Sequence, residues 1–181
     1  DRAAEAAQKS NSPLGVVTFE PHPVAVLRPE VAPSRLTPFR AKMRRLKECG
    51  VKIVYVLPFS REFSQKTADQ FVNEVLVGEL NVRHVVVGHD YRFGKERAGD
   101  YGLLVEQGKQ LGFGVTEVGG IGNGSQVYSS TRVRNYLQLG NPRQAAAILG
   151  HMWEIEGRVR HGDARGRELG FPTANIALKN H

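Results

Sequence analysis

A chain of 181 residues, 40% hydrophobic and with a net charge of +7, is long enough for one packed domain, or for one domain plus part of another. It contains no run of eighteen apolar residues to span a membrane, its first residues lack the charged, apolar and small-residue sequence expected of a secretory signal, and its single cysteine, Cys49, excludes an internal disulfide. The expectation is a cytoplasmic protein in which Cys49 fills a small space in the core. Surplus positive charge attracts polyanions. Here it is spread over Arg40–Lys47, Arg92–Arg97 and Arg158–Arg167, without an aromatic RNA-binding sequence or a paired Cys/His finger. Nucleotide phosphates therefore rank above a plain solvated surface, and nucleic acid ranks last.

The chain opens with Asp1–Lys9, a short helical stretch without a starting cap, which reads as a start inside a longer protein. Leu14–Phe19 is a β-branched apolar run, as expected of a strand buried on both faces. Thr37 can cap a helix over Pro38–Cys49, with proline in the first turn and Gly50 just past the end. Val51–Leu57 is the next strand. Thr67 and Gln70 have capping-box spacing and open a helix that runs to Gly78. Arg83–Val87 is a third strand, Tyr101–Leu111 a helix stopped by Gly112, and Phe113–Val118 a fourth strand. This alternation predicts an α/β fold, a mostly parallel sheet covered by helices. Ser129–Leu139 and Pro142–Leu149 read as two helices ended by Gly140 and Gly150. Trp153–Arg160 alternates like a strand, and the rest reads as loop. A domain boundary near Gly150 divides residues 1–150 from 151–181, and the second stretch is too short to close a core.

Ligands of parallel sheets sit beyond the carboxyl ends of the strands, which points to four segments. Thr18–Pro23 holds His22 between two prolines, either orienting an imidazole toward a phosphate or forming a rigid turn with an incidental histidine. Val87–Gly94 offers Asp90 to ribose hydroxyls and Tyr91 and Phe93 to a planar ring; alternatively the aromatics fold back into the core. Ser129–Arg134 places two hydroxyls, backbone N–H groups and two arginines at a helix start, where anions bind; the alternative is an ordinary cap. Gly162–Asn175 is a glycine-punctuated basic loop followed by Thr173 and Asn175, oxygen donors suited to Mg²⁺. Gly119–Gly124 lacks the spacing of a dinucleotide fingerprint and reads as a flexible loop.

In this order, TFEPHP, VGHDYRFG, SSTRVR and GRELGFPTANI resemble the bacterial FAD synthetase family, bifunctional riboflavin kinases/FMN adenylyltransferases, over Leu14 to Leu178. The resemblance implies a Rossmann-like nucleotidyltransferase domain over residues 1–150 and, over 151–181, the start of a small antiparallel β-barrel kinase domain. It implies phosphorylation of riboflavin to FMN and adenylylation of FMN to FAD with release of pyrophosphate. Small molecules (ATP with Mg²⁺, riboflavin and FMN) are then the partners, without nucleic acid or membrane. Carried over by position, His22, Ser130, Thr131, Arg134, Gly162 and Arg167 hold ATP phosphates. Gly88, Asp90, Tyr91 and Phe93 receive flavin or nucleotide, and Thr173 and Asn175 bind the metal. The family's His-x-Gly-His motif is absent from these residues, and the kinase's carboxylate base is expected beyond His181. The chain by itself is thus expected to catalyse neither reaction. The rival readings are a nucleotidyltransferase with another phosphorylated acceptor, a basic nucleic-acid module, and a binding domain without turnover.

Overall fold

The computed structural model describes residues 2–123, 126–162, 165–171 and 173–176. Among them the chain forms two compact units, residues 1–32 with 46–128 and residues 33–45 with 129–181. The elements of the first unit are α1 (Arg2–Lys9), β1 (Gly15–Glu20), α2 (Pro23–Leu27), β2 (Ile53–Pro58), α4 (Ala68–Gln70), β3 (His84–Gly88), α5 (Tyr101–Leu111), β4 (Gly114–Val118), β5 (Gly122–Asn123) and β6 (Gln126–Val127). Helix α3 (Phe39–Glu48) crosses from the second unit into the first.

The expected parallel pairing is present, as two ladders. β1 runs parallel to β2, Gly15 beside Ile53 through Glu20 beside Pro58, and β3 runs parallel to β4, His84 beside Gly114 through Gly88 beside Val118. Each pair is joined through a helix, as parallel strands require. One apolar cluster ties the ladders to the helices. Leu57 of β2 and Val87 of β3 join Phe71, Val72, Val75 and Leu76 of the segment between them, with Leu104 of α5 and Phe113. The strand faces are less covered than their composition predicts: Val17 stays 38% exposed and Val56 40%.

Local chemistry sets the helix ends. Thr67 accepts from the Gln70 N–H at 3.1 Å while Gln70 Oε1 accepts from the Thr67 N–H at 2.9 Å, the capping box expected from the spacing. The helix it opens is α-helical only to Gln70. From Phe71 to Glu79 it widens to π geometry. Gly78 suits the wider turn, because a Cβ there would lie 3.1 Å from the Asn73 carbonyl. Asp100 caps α5 by accepting from the Leu103 N–H, and Gly112 ends it at φ 82°, where a side chain would be strained. Gly119–Gly124, read as a flexible loop, instead contains a strand: Gly122–Asn123 pairs antiparallel with Gln126–Val127.

The second unit contains α6 (Ser130–Gln138), α7 (Pro142–Leu149), β7 (Val159–Arg160), α8 (Arg165–Glu168) and β8 (Asn175–Ile176). The predicted strand over Trp153–Arg160 is reduced to its last two residues. The polar side chains at its start are otherwise engaged. Glu154 accepts from Arg44 at 2.6 Å and from Arg45 at 2.7 Å, Glu156 accepts from Arg44 at 3.1 Å, and the Trp153 indole donates to the Leu36 carbonyl at 2.9 Å. Hydrogen bonding to Glu156 and the charges of both glutamates raise the Arg44 pKa further, against partial desolvation. Glu154 and Trp153 thus follow the partners on residues 33–45 rather than a strand's two-residue alternation.

The Leu104 side chain is fully enclosed. Leu104→Ala is expected to lower the unfolding free energy by about 2–5 kcal/mol in urea titration. Leu111→Ala, 39% exposed at the end of the same helix, is expected to cost under about 1 kcal/mol.

Candidate functional site

The first two candidate segments follow strand ends of the first unit. His22 is more than part of a turn: it is the N-cap of the short helix α2, which sequence reading missed. Its Nδ1 accepts from the Val24 N–H at 3.2 Å, so in the neutral ring the proton is on Nε2.

Past β3, the segment Gly88–Gly94 divides its residues between surface and core. Gly88 and Asp90 are exposed. Phe93 is buried at 6% exposure, stacked on Tyr91 with centroids 5.6 Å apart and against Phe71 at 5.6 Å. Of the two alternatives for these aromatics, the structure has them folded back. The Phe93 ring is enclosed by the core and offers no open face to a planar ligand. Burial pushes the Tyr91 hydroxyl up from its ordinary value of 10.0. Packing also accounts for two glycines nearby. A Cβ on Gly94 would come within 2.6 Å of the Ala68 nitrogen, and one on Gly99 within 2.7 Å of the Phe93 ring. Phe93 and Gly99 exchange backbone hydrogen bonds of 3.1 and 2.9 Å, folding the loop over the ring. An aromatic ladder absent from the sequence reading runs beside it at the ends of β1 and β2. Phe19 packs edge-on to Phe59 and Phe63 at 5.4 and 5.7 Å, and Phe63 packs on Phe71 at 6.3 Å. Its signal was Phe19 near the end of β1 with Phe59 and Phe63 following the end of β2.

Arg92 reaches back to Asp100 at 2.9 Å. The Leu103 N–H, opposed by desolvation and assisted by Arg92, holds the Asp100 carboxyl below its ordinary 3.8. A depressed carboxyl stabilises the fold above its unfolded pKa, and that contribution disappears as pH falls through the folded value.

The third segment lies in the second unit. Ser129 is the N-cap of α6 and accepts from the Arg132 N–H at 3.3 Å. Ser130 and Thr131 follow on the exposed first turn, where backbone N–H groups and the helix dipole favour an anion. Arg134, one turn on, is braced by its Nε–H donating to the Ser34 carbonyl at 2.8 Å. A guanidinium anchored along one edge loses less freedom when its outer N–H groups meet a phosphate.

The fourth segment is brought together by strand pairing. β7 and β8 are antiparallel, with Arg160 beside Asn175 and Val159 beside Ile176. This sets Asn175 against Gly162, where a Cβ would collide with its amide nitrogen. Gly166 is likewise held close to Thr173, whose Oγ1 would lie 3.0 Å from a Cβ there, and its carbonyl accepts from the Phe171 N–H at 2.7 Å. The two glycines are thus the close-approach positions beside the two oxygen donors. Arg167, expected at the phosphates, has its side chain outside the described residues. No cluster of three or more His, Cys, Asp or Glu suited to a metal ion occurs among the described residues. The donors here are a neutral hydroxyl and a neutral amide. Such a pair fits a Mg²⁺ that arrives on nucleotide phosphates and keeps several waters.

Sequence comparison covers both halves of this arrangement. The sequence model of the FAD synthetase family matches residues 1–132. The chain belongs to the FAD synthetase family. A second match, to riboflavin kinase, covers residues 149–181. Among curated relatives, the bifunctional riboflavin kinase/FMN adenylyltransferase of Escherichia coli K12 is 43% identical over 97% of this chain and 56% of its own length. The protein so named from Bacillus subtilis 168 is 36% identical over 98% of this chain and 56% of its own length. The chain therefore spans little more than half the length of these relatives. A solved structure titled as a macrolide-efflux protein from Streptococcus pneumoniae superposes with a TM-score of 0.81 and 32% identity, over 98% of this chain and 57% of that one. No described helix of this family member is long and apolar enough to cross a membrane.

Replacing Asp100 by Asn is expected to keep the cap geometry and lose the charge dependence. The fall in melting temperature between about pH 5 and pH 2 should become shallower than in the unmodified chain, followed by circular dichroism.

Proposed function

We propose that this chain is the central part of a bifunctional flavin-cofactor enzyme. One module phosphorylates riboflavin with ATP, giving FMN and ADP; the other joins FMN to the adenylyl group of a second ATP, giving FAD and pyrophosphate. The observation that carries this reading is the order of the two family matches along one polypeptide, FAD synthetase over 1–132 and riboflavin kinase over 149–181. The proposed domains are residues 1–150 and the beginning of a kinase domain over 151–181. The antiparallel pairing of β7 with β8 is compatible with the start of a barrel.

In the adenylyl transfer, negative charge grows on the phosphoryl oxygens as the FMN phosphate attacks and pyrophosphate leaves. Positioned donors stabilise that charge. The first turn of α6 supplies backbone N–H groups with the Ser130 and Thr131 hydroxyls, and Arg134 supplies a braced guanidinium. By its place in the TFEPHP segment, His22, the N-cap of α2 at the end of β1, is also assigned to ATP phosphate. Gly88 and Asp90 form the exposed part of the strand-end loop, and Asp90 is suited to accept from ribose hydroxyls or a ring amine. Tyr91 and Phe93 support that loop from the core. In the kinase module, Thr173 and Asn175 offer oxygens to the Mg²⁺ accompanying ATP, with Gly162 and Arg167 beside the phosphates. Bound there, the ion neutralises charge on the transferring group.

The two modules can be separated by mutation in the full-length protein. Removing a charged hydrogen bond costs about 1.5–3 kcal/mol, roughly ten- to a hundredfold in rate or affinity. Arg134→Ala is expected to slow FAD formation from FMN by that factor and leave riboflavin phosphorylation intact. Asn175→Ala is expected to do the reverse. The two rates are followed by chromatography of the flavins. If both variants retain both rates, or each folded variant loses both together, the assignment fails.

A further inference from the structure

Residues 33–37 belong to no helix or strand, yet side chains from a hundred or more residues away hold their backbone. The Arg134 Nε–H, from α6, donates to the Ser34 carbonyl at 2.8 Å, and the Trp153 indole N–H donates to the Leu36 carbonyl at 2.9 Å. Further along, on α3, two arginines share one carboxylate. Glu154 accepts from Arg44 through Oε2 and from Arg45 through Oε1, while Glu156 also accepts from Arg44. All of these residues lie in the second unit. Trp153 and Glu154 fall within the riboflavin kinase match, 149–181, whereas their partners Leu36, Arg44 and Arg45 fall within the FAD synthetase match, 1–132.

The carbonyl that Trp153 engages is two residues from the carbonyl that braces Arg134. A segment outside regular structure has no ladder of its own and opens at little cost. Fixing it at Leu36 and again on α3 therefore fixes Ser34 between them. The Arg134 brace needs this, because a hydrogen bond tolerates only a few tenths of an ångström in length. Single exposed ion pairs contribute little to stability. Here one carboxylate spans two consecutive helix residues, whose side chains point about 100° apart, so the pairing fixes direction as well as distance.

We propose that Trp153 and Glu154 are positioning residues for adenylyl transfer: acting through residues 34–45, they hold Arg134 in the orientation that meets the ATP phosphates. This rests on the assignment of α6 and Arg134 to ATP phosphate under the proposed function. The kinase end of the chain thus supplies side chains that set the arginine of the other reaction. Without them the guanidinium has to be ordered when the phosphate binds, and that ordering weakens ATP binding. Neither residue is placed at the reacting atoms, so the effect falls on the KM for ATP more than on kcat.

The test uses the full-length protein and follows FAD formation from FMN, and FMN formation from riboflavin, by chromatography of the flavins. Trp153→Phe keeps an aromatic ring and removes the donor; Glu154→Gln keeps the shape and removes the charge. Each is expected to raise the KM for ATP in FAD formation about three- to tenfold, the effect of one hydrogen bond, and to leave riboflavin phosphorylation unchanged. Combined with Arg134→Ala, neither substitution is expected to raise that KM further, because the group it positions is gone. An unchanged KM in both variants, an increase of the same size in the Arg134→Ala background, or loss of both activities together would overturn the proposal. If Arg134→Ala by itself leaves FAD formation unchanged, the phosphate assignment of α6 is what fails, and the positioning role falls with it.

Discussion

Everything in the first unit depends on the helical segment from Ala68 to Glu79 being buried against both ladders at once. Parallel strands cannot pair through a hairpin, so each ladder needs a helix to bring its second strand round and then to cover it. Val72 and Val75, almost wholly enclosed, share one cluster with Leu57 of the first ladder and Val87 of the second. The residues that could meet a ligand, His22 and the Gly88–Asp90 turn, are carried on the strand ends that this cluster holds. Their positions follow from apolar burial several residues away.

Glycine has a double meaning in the motifs. A run such as Val87–Gly94 looks like a loop built for close approach to a ligand, and it is a loop built for close approach. At Gly94 and Gly99, however, what approaches is the backbone of Ala68 and the ring of Phe93. At Gly162 the neighbour is Asn175, and at Gly166 the neighbours are the Phe171 carbonyl and Thr173, so there the glycines lie beside the candidate site's own residues. Composition does not distinguish these uses, because both require only a missing Cβ.

Positive charge is divided in the same way. Arg44 and Arg45 are engaged by Glu154 and Glu156, and Arg92 by Asp100. Arg134 is braced by the Ser34 carbonyl through its Nε–H. A surplus of basic residues therefore marks a chain that handles phosphates less sharply than the few arginines placed at a helix start.

The alternation of apolar runs with capped helical stretches determined the α/β class, and most elements fall within about two residues of where their caps and glycines put them. Thr67 with Gln70, Gly112 and Ser129 are local signals, complete within four residues or one turn, and so they are legible without the fold. The order of the four motifs, spread over the chain, likewise placed it in its family. Tertiary structure alone decided the rest. It turned Phe93 inward, because a core beside Phe71 was there to receive it. It reduced the Trp153–Arg160 strand to two residues, because Arg44, Arg45 and Leu36 engage its first part. It set Asn175 against Gly162 through strand pairing thirteen residues apart. It also paired β1 with β2 and β3 with β4, since pairing depends on which strand edges meet in space, and no local pattern records that.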